Sequence, residues 1–188
     1  MVIANPAGIT CSDCGFINAN RATITTGAPI ISDGRLDRYR VTGGTVTIAG
    51  ANGLDSATAD YTDIIAQSVQ INAGLWAQTL KVTAGVNEVN AAHTQTTPLG
   101  VADTTPAYAI DVAQLGGMYA GQITLVGTQD GVGVRHGGQL GASAGNVVIS
   151  AAGHIESRGS MRSDTADVQL TSGGDITHTG TIESAGNT

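Results

Sequence analysis

Two cysteines three positions apart, Cys11 and Cys14, are the residues of this chain best suited to chemistry. Such a pair can be redox-active, supply half of a zinc site, or close a small disulfide in an oxidising compartment. A zinc site needs four ligands, and a thioredoxin-like site needs a βαβ context that the sequence does not show. The histidines are scattered singly, at His93, His136, His154 and His178. The spacing alone leaves a structural disulfide, free thiols and a redox or metal role open.

Carboxylates are the second group that could do chemistry, either as calcium ligands or in a hydrolase or lyase. The candidates are Asp33, Asp37, Asp55, Asp60, Asp63 and Asp130. Such sites need clustered acids, usually with basic partners, whereas these acids lie mostly beside turn glycines and Lys81 is the only lysine. We therefore expect solvated turn residues, and we predict no catalytic residue, no metal site, no cofactor and no enzymatic activity.

The cysteines follow a strong turn signal, in the stretch Asn5 to Arg21 with the sequence NPAGITCSDCGFINANR. Pro6 restricts φ to about −65°, and Gly8 permits backbone conformations that other residues avoid. Asn5 is a turn former because its side chain can bond nearby backbone groups. The stretch therefore predicts a tight, compact loop.

Composition limits the classes of partner. The 188 residues carry a net charge of −7, with 8 Lys+Arg against 15 Asp+Glu. Because binding to a phosphate backbone needs clustered cations, we expect no nucleic-acid partner. No apolar run approaches the length of a membrane-spanning helix, and the start VIANPAG does not read as an export signal. The segment is thus expected to be either cytoplasmic or a part of a longer precursor.

Short segments rich in Val, Ile and Thr, each ended by glycine, make up most of the chain, as in DRYRVTGGTVTIAG. Alternating apolar and polar residues are typical of strands with one buried face. With only 3% aromatic residues and 27 glycines, the interior must be built from small, regular side chains. Trp76, among Leu75, Ala77 and Leu80, is expected to pack against this framework.

Internal repetition appears when the chain is laid on itself at an offset of 21 residues. Seven positions match, namely Val147 with Val168, Ile149 with Leu170, Gly153 with Gly174, Ile155 with Ile176, Gly159 with Gly180, Met161 with Ile182, and Ser163 with Ser184. A looser preceding copy pairs Val134 with Ile155 and Leu140 with Met161. Each copy contains three short strand-like pieces. The pattern predicts an all-β fold, a β-solenoid of parallel stacked turns.

With a rise of about 4.8 Å per turn, roughly eight turns would form a rod on the order of 40 Å long. The segment Asn87 to Gly121, which holds two of the four prolines, interrupts the pattern. It predicts a hairpin or flap excursion, followed by a return to the solenoid at Gln122. Residues 91–121 are accordingly expected to form an excursion or linker, with β-helix repeats over 122–188.

Several segments resemble the secretion domain of two-partner secretion exoproteins, the filamentous haemagglutinin, haemolysin and contact-dependent growth inhibition (CdiA-type) proteins of Gram-negative bacteria. They are NPAGITCSDCGFINANRATITTG, TVTIAGANGL, VQINAGLWAQTLKVTAGVN and AIDVAQLGGMYAGQITLVGTQDGVGVRHGG. The resemblance covers essentially the whole chain. It implies that residues 1–90 are the second half of the secretion domain and that haemagglutinin-type repeats follow.

The resemblance implies a right-handed parallel β-helix and a protein that is secreted through the periplasm to the bacterial cell surface. Its implied partner is an outer-membrane TpsB-type β-barrel transporter with POTRA domains. Of the two motifs that this family uses for recognition, NPNL is absent here, and NPNGI corresponds to Asn5, Pro6, Gly8 and Ile9, with Ala7 in place of the usual asparagine. Cys11 and Cys14 resemble a pair that closes a small disulfide loop in the haemolysin-like and growth-inhibition branches.

The sequence therefore predicts a non-catalytic secretion signal and scaffold of a large surface exoprotein. The alternative is an adhesin-type module, in which the outer face or the excursion contacts a host glycan or a receptor on a host or neighbouring cell.

Overall fold

A computed structural model describes residues 1–100 and 104–188. The described residues contain strands and turns but no helix, and hence none with the length and apolar character to cross a membrane. The strands are β1 (Val2–Ala4), β2 (Ile9–Gly15), β3 (Arg21–Thr25), β4 (Ala28–Ser32), β5 (Arg35–Val41), β6 (Thr45–Ala66), β7 (Ser68–Ile71), β8 (Gly74–Ala84), β9 (Asn87–Asn90), β10 (Thr96–Pro98), β11 (Tyr108–Val112), β12 (Gly117–Ala120), β13 (Gln122–Gly127), β14 (Gly133–His136), β15 (Gln139–Ala142), β16 (Val147–Ala151), β17 (Ile155–Ser157), β18 (Ser160–Ser163), β19 (Val168–Ser172), β20 (Ile176–His178) and β21 (Thr181–Ser184).

Seventeen of these strands form one coiled parallel sheet with three faces. Face A stacks β1, β3, the end of β6, the end of β8, β13, β16 and β19. Face B stacks the start of β2, the start of β6, β7, β11, β14, β17 and β20. Face C stacks the end of β2, the middle of β6, the start of β8, β12, β15, β18 and β21. This architecture confirms the predicted parallel β-helix.

The register between turns reproduces the 21-residue offset of the sequence. Val147 pairs with Val168 on face A, Ile155 with Ile176 on face B, and Met161 with Ile182 on face C. Strands of neighbouring turns pair residue for residue because a shift by one position would turn every apolar side chain outward.

The interior is a set of ladders of apolar side chains that run along the axis of the solenoid. On face A, Ile64 lies against Val82, which lies against Leu125, and the ladder continues to Ile149. All four are fully buried. Burying such a side chain stabilises the fold by about 1.5–3 kcal/mol, so small, regular residues suffice without many aromatics.

Glycines form the corner between faces B and C, where backbones of successive turns approach closely. A Cβ at Gly159 would overlap the carbonyl of Gly138, and one at Gly180 would overlap the carbonyl of Gly159. These carbonyls accept hydrogen bonds from the next turn, at 3.0 Å from the Ser160 amide and 3.2 Å from the Thr181 amide. The repeating glycine is therefore required by a close approach of two backbones.

A second, antiparallel sheet of four strands covers part of face A, in the order β10-β9-β5-β4. The hairpin β4–β5 turns at Asp33-Gly34, both with positive φ, as a two-residue hairpin loop requires. Its side chains Tyr39 and Val41 pack with Val89 of β9 and Ile65 of the solenoid in a separate small core. The outer side of face A is thus buried beneath the second sheet, whereas the outer side of an uncovered solenoid face is exposed to solvent.

The excursion is shorter than the sequence predicts. β11 and β12, within the expected excursion 91–121, pair in the large sheet with β7 and β8. The solenoid therefore resumes at Tyr108 and not at Gln122. Each face shows seven stacked strand segments within the described residues, against roughly eight expected turns, because the hairpin β4–β5 and strands β9 and β10 lie outside the solenoid.

Candidate functional site

The turn between β1 and β2 contains the predicted motif residues Asn5, Pro6 and Gly8, and the fourth, Ile9, is the first residue of β2. The Asn5 side-chain Oδ1 accepts a hydrogen bond from the Ala7 amide at 3.1 Å. The Asn5 carbonyl accepts one from the Gly8 amide, also at 3.1 Å. Asn5 thus closes the turn twice, which is the local role expected of asparagine at the start of a tight turn.

The turn is anchored on the second turn of the solenoid. The Asn5 amide donates to the Thr25 carbonyl at 3.0 Å, and Ile9 pairs with Val46. Gly44 has a φ of +85°, and a Cβ there would lie 2.6 Å from the Pro6 carbonyl. The absence of a side chain at Gly44 therefore leaves room for the Pro6 carbonyl.

The motif is presented to solvent. Asn5, Pro6 and Ala7 are exposed, and Gly8 and Ile9 are half-buried. Gly8 has a φ of +124°, a conformation that favours glycine. Ala7 contributes its backbone amide to the turn. The turn therefore does not need the usual asparagine at this position. Ala7 changes only the side chain that the motif presents to a partner.

Cys11 and Cys14 are joined by a disulfide, with their Cα atoms 5.7 Å apart. Cys11 pairs with Ile48 on face B and Cys14 with Leu54 on face C, so the bridge spans the corner between these faces. Asp13 lies at this corner with a φ of +54°. Neither thiol is free. The arrangement is a structural bridge that holds the corner a few residues after the motif.

A buried polar cluster connects the second sheet to the solenoid, and sequence reasoning missed it. His93 Nδ1 lies 2.8 Å from Asp63 Oδ1, and His93 Nε2 lies 2.7 Å from Thr83 Oγ1. All three residues are at most 3% exposed. The expectation that Asp63 is a solvated turn residue is wrong, because the second sheet and the loop after β9 cover this part of face A.

Two cations complete the cluster. Arg21 Nη1 contacts Asp63 Oδ2 at 3.1 Å and donates to the Ala92 carbonyl at 2.8 Å, and Lys81 Nζ donates to the His93 carbonyl at 2.6 Å. Burial lowers the pKa of His93, against the opposing effect of Asp63. Burial likewise lowers the pKa of Lys81. The loop at residues 91–95 is thus tied to the solenoid by charge-assisted bonds.

The order Asp63–His93–Thr83 has the hydrogen-bond connectivity of an acid–base relay to a hydroxyl. Nucleophilic catalysis also needs the hydroxyl to reach a substrate. Thr83 is 0% exposed, so the cluster acts as a tether. The sequence signals that could have indicated this cluster are the single lysine, Lys81, and a histidine within the excursion, His93. Within residues 1–100 and 104–188, no three His, Cys, Asp or Glu side chains are grouped so as to hold a metal ion.

Comparisons with known proteins agree with this geometry. The family model of the TPS secretion domain matches residues 1–157. This match extends past residue 90, where the sequence predicts that the secretion domain ends, and the division at that residue stays a prediction. A crystal structure of the filamentous hemagglutinin secretion domain superposes with a TM-score of 0.86 at 30% identity, covering 99% of this chain and 65% of the other.

Curated relatives are much longer proteins. The toxin CdiA of Yersinia pestis is 50% identical over 100% of this chain and 6% of its own length. The tRNA nuclease CdiA-2 of Burkholderia pseudomallei is 44% identical over 82% of this chain and 5% of its own length. The chain thus spans only a small part of these relatives, whose names describe the whole proteins. With the family match over most of its residues, the chain belongs to the TPS secretion domain family of two-partner secretion exoproteins.

Proposed function

We propose that the turn Asn5–Ile9 is the element that an outer-membrane TpsB-type β-barrel transporter recognises, through its POTRA domains, and that the rest of the chain is a non-catalytic scaffold. Exoproteins of this family are secreted across the outer membrane to the cell surface. The observation that carries the proposal is the geometry of the turn. Asn5 and Pro6 are exposed, yet the backbone around them is held by three hydrogen bonds.

A rigid, exposed turn suits recognition because little conformational freedom is lost on binding. The disulfide at Cys11 and Cys14 holds the corner that follows the turn. Gly44, which has no side chain, lets the Pro6 carbonyl lie close to the next turn of the solenoid. The motif is therefore presented in one conformation.

The scaffold role follows from the pairing pattern. Inside the repeats a strand pairs with the strands one turn before and one turn after, as β16 does with β13 and β19, whereas β19 itself, within the described residues, pairs only with the turn before. Stability in such a fold is a sum over neighbouring turns. A chain that leaves a pore can therefore fold turn by turn on the edge already formed, and folding outside opposes backsliding.

Export of the full-length exoprotein by its cognate transporter tests the recognition element. Pro6→Ala and Asn5→Ala are expected to lower the exported amount about tenfold, the effect of losing about 1.4 kcal/mol of recognition. Pro29→Ala is the matched control, because Pro29 is also an exposed proline, located in β4. Circular dichroism of the purified variants should show an unchanged β-sheet signal. Unchanged export of both motif variants, or an equal loss with Pro29→Ala, would contradict the proposal.

A further inference from the structure

Face C carries two exposed aromatic side chains on neighbouring turns, Trp76 and Tyr119. They are 39% and 38% exposed and pair directly in the sheet. Their ring centroids are 6.0 Å apart, and their planes lie within 20° of each other. The sequence predicts that Trp76 packs against the solenoid, and it does so with one side of its ring only.

Each ring lies over a glycine of its own strand. A Cβ at Gly74 would overlap three atoms of the Trp76 ring, and a Cβ at Gly117 would lie 3.0 Å from Cε2 and Oη of Tyr119. Gly74 and Gly117 are themselves paired across the two strands. Because the rings rest over bare backbone in nearly parallel planes, they form a flat aromatic surface two turns wide whose outer side faces water.

The next turn leaves a gap beside this surface. Tyr119 pairs with Gly141, which pairs with Arg162. Gly141 has no side chain, so a cavity of about 490 Å³ opens here, with a floor that includes Ala120 and Ala142. A second cavity of about 420 Å³ adjoins Trp76 on the other side. The aromatic surface therefore lies between two cavities, and we call the surface and the two cavities together the groove.

Polar groups border the groove on both sides. Asp55 and Asn52 lie beside Trp76, and Gln139, Ser160 and Asp164 line the larger cavity. Tyr119 Oη donates to Gln139 Oε1 at 2.9 Å. A flat aromatic floor with hydrogen-bonding groups at its rim matches a sugar, because the C–H groups on one face of a pyranose pack on the negative face of an aromatic ring and its hydroxyls point outward.

The charges of the groove select among sugars. Arg162, the cation of this region, already contacts Asp164 at 2.5 Å and Glu183 at 3.0 Å. Asp55 adds a further negative charge at the other end. The excess of carboxylates would repel an anionic polysaccharide, whereas a neutral polysaccharide carries no charge to be repelled. We propose that the groove formed by Trp76, Tyr119 and Gly141 binds a neutral, linear oligosaccharide.

Trp76 is the only tryptophan in the chain, so its fluorescence reports directly on the proposed site. The probes are cellohexaose and chitohexaose, which are neutral and linear, with a heparin hexasaccharide as the anionic comparison. With the 188-residue chain, at least one neutral probe is expected to change Trp76 emission with a Kd below about 1 mM. The heparin probe should leave it unchanged.

Two variants keep the reporter and alter the groove. Tyr119→Thr removes half of the aromatic surface and is expected to weaken binding about tenfold. Gly141→Gln fills the gap, where a new Cβ would lie 3.4 Å from Tyr119 Cδ1, in ordinary contact. Gly141→Gln should therefore abolish binding, and it tests the proposal even if Tyr119→Thr fails to fold. Tyr61→Thr is the matched control, since Tyr61 is a 47% exposed aromatic on face A, and it should bind as the parent does.

The proposal is overturned if neither neutral probe changes the emission, if the heparin hexasaccharide binds at least as tightly, or if Tyr61→Thr weakens binding as much as Tyr119→Thr. Transporter recognition is read from export and not from this assay, so either conclusion can fail without the other.

Discussion

A buried histidine makes the stability of the repeats depend on pH. His136 ends β14 with its side chain inside the solenoid, at the position that Val112 occupies one turn earlier and Ser157 one turn later. It is 0% exposed. Its Nδ1 lies 3.1 Å from Ser157 Oγ, and its Nε2 has no hydrogen-bond partner among the described residues. Burial, with the charge of His178 adding, lowers the pKa of His136 from 6.5 to about 4.

The sign of the effect follows from the lowered pKa. The fold favours neutral His136, so its stabilisation is complete above the unfolded pKa of 6.5 and is lost as the pH falls toward 4. The full shift corresponds to about 3 kcal/mol. Between pH 7.5 and pH 5 the free energy of unfolding should drop by about 2 kcal/mol through this residue.

His136→Val isolates this contribution, because valine already occupies the same position at Val112. Urea unfolding followed by circular dichroism at pH 7.5 and pH 5 measures the free energy of unfolding of both proteins. At pH 7.5 the two should agree within about 1 kcal/mol, the net value of one hydrogen bond. At pH 5 the variant should be the more stable protein by about 1–2 kcal/mol, since only the parent must exclude a proton from its interior.

Subtracting the two pH profiles cancels the titrating groups that do not interact with His136, including His93, whose lowered pKa acts in the same direction. Leu140→Val is the control for loss of core packing, because Leu140 is also buried in the solenoid. It should lower stability equally at both pH values. Parallel pH profiles for the parent and His136→Val would refute the reasoning.

Two further predictions concern close packing and the polar cluster. Gly159→Ala should lower the free energy of unfolding, measured by urea titration, by at least about 2 kcal/mol. The reason is that the new Cβ would overlap the Gly138 carbonyl. Gly141→Ala, on an open part of face C, is the control and should change this free energy by less than about 0.5 kcal/mol. His93→Ala should lower the free energy of unfolding by about 2 kcal/mol, since it leaves the buried Asp63 with one hydrogen-bond partner fewer. Hydrogen exchange should show loss of protection at residues 88–95 but not in β16 to β21. An equal loss of protection in both regions would contradict the role of the cluster as a tether.

The repeats were the part of the fold most readable from sequence. Because a parallel solenoid stacks identical turns, the 21-residue offset that matches Val147 with Val168 is also the pairing register of the strands. The recurring glycine at Gly159 and Gly180 follows from the same geometry, since every turn brings two backbones together at the same corner. At Asp33-Gly34 the turn expected beside the carboxylate is a two-residue hairpin loop, since an Asp-Gly pair readily adopts the positive φ values that such a loop needs.

The sequence by itself thus determined the strand period, the parallel stacking, the corner glycines and the position of the motif turn, because each depends on neighbours along the chain or on a fixed repeat. Only the tertiary structure decided that Asp63 is buried against His93, that the solenoid resumes at Tyr108, and that Trp76 lies flat beside Tyr119. Those features depend on contacts across the inserted segments, where the 21-residue offset no longer gives the partner of a residue. The covering of face A by the second sheet and the openness of face C therefore appear only when the chain is folded.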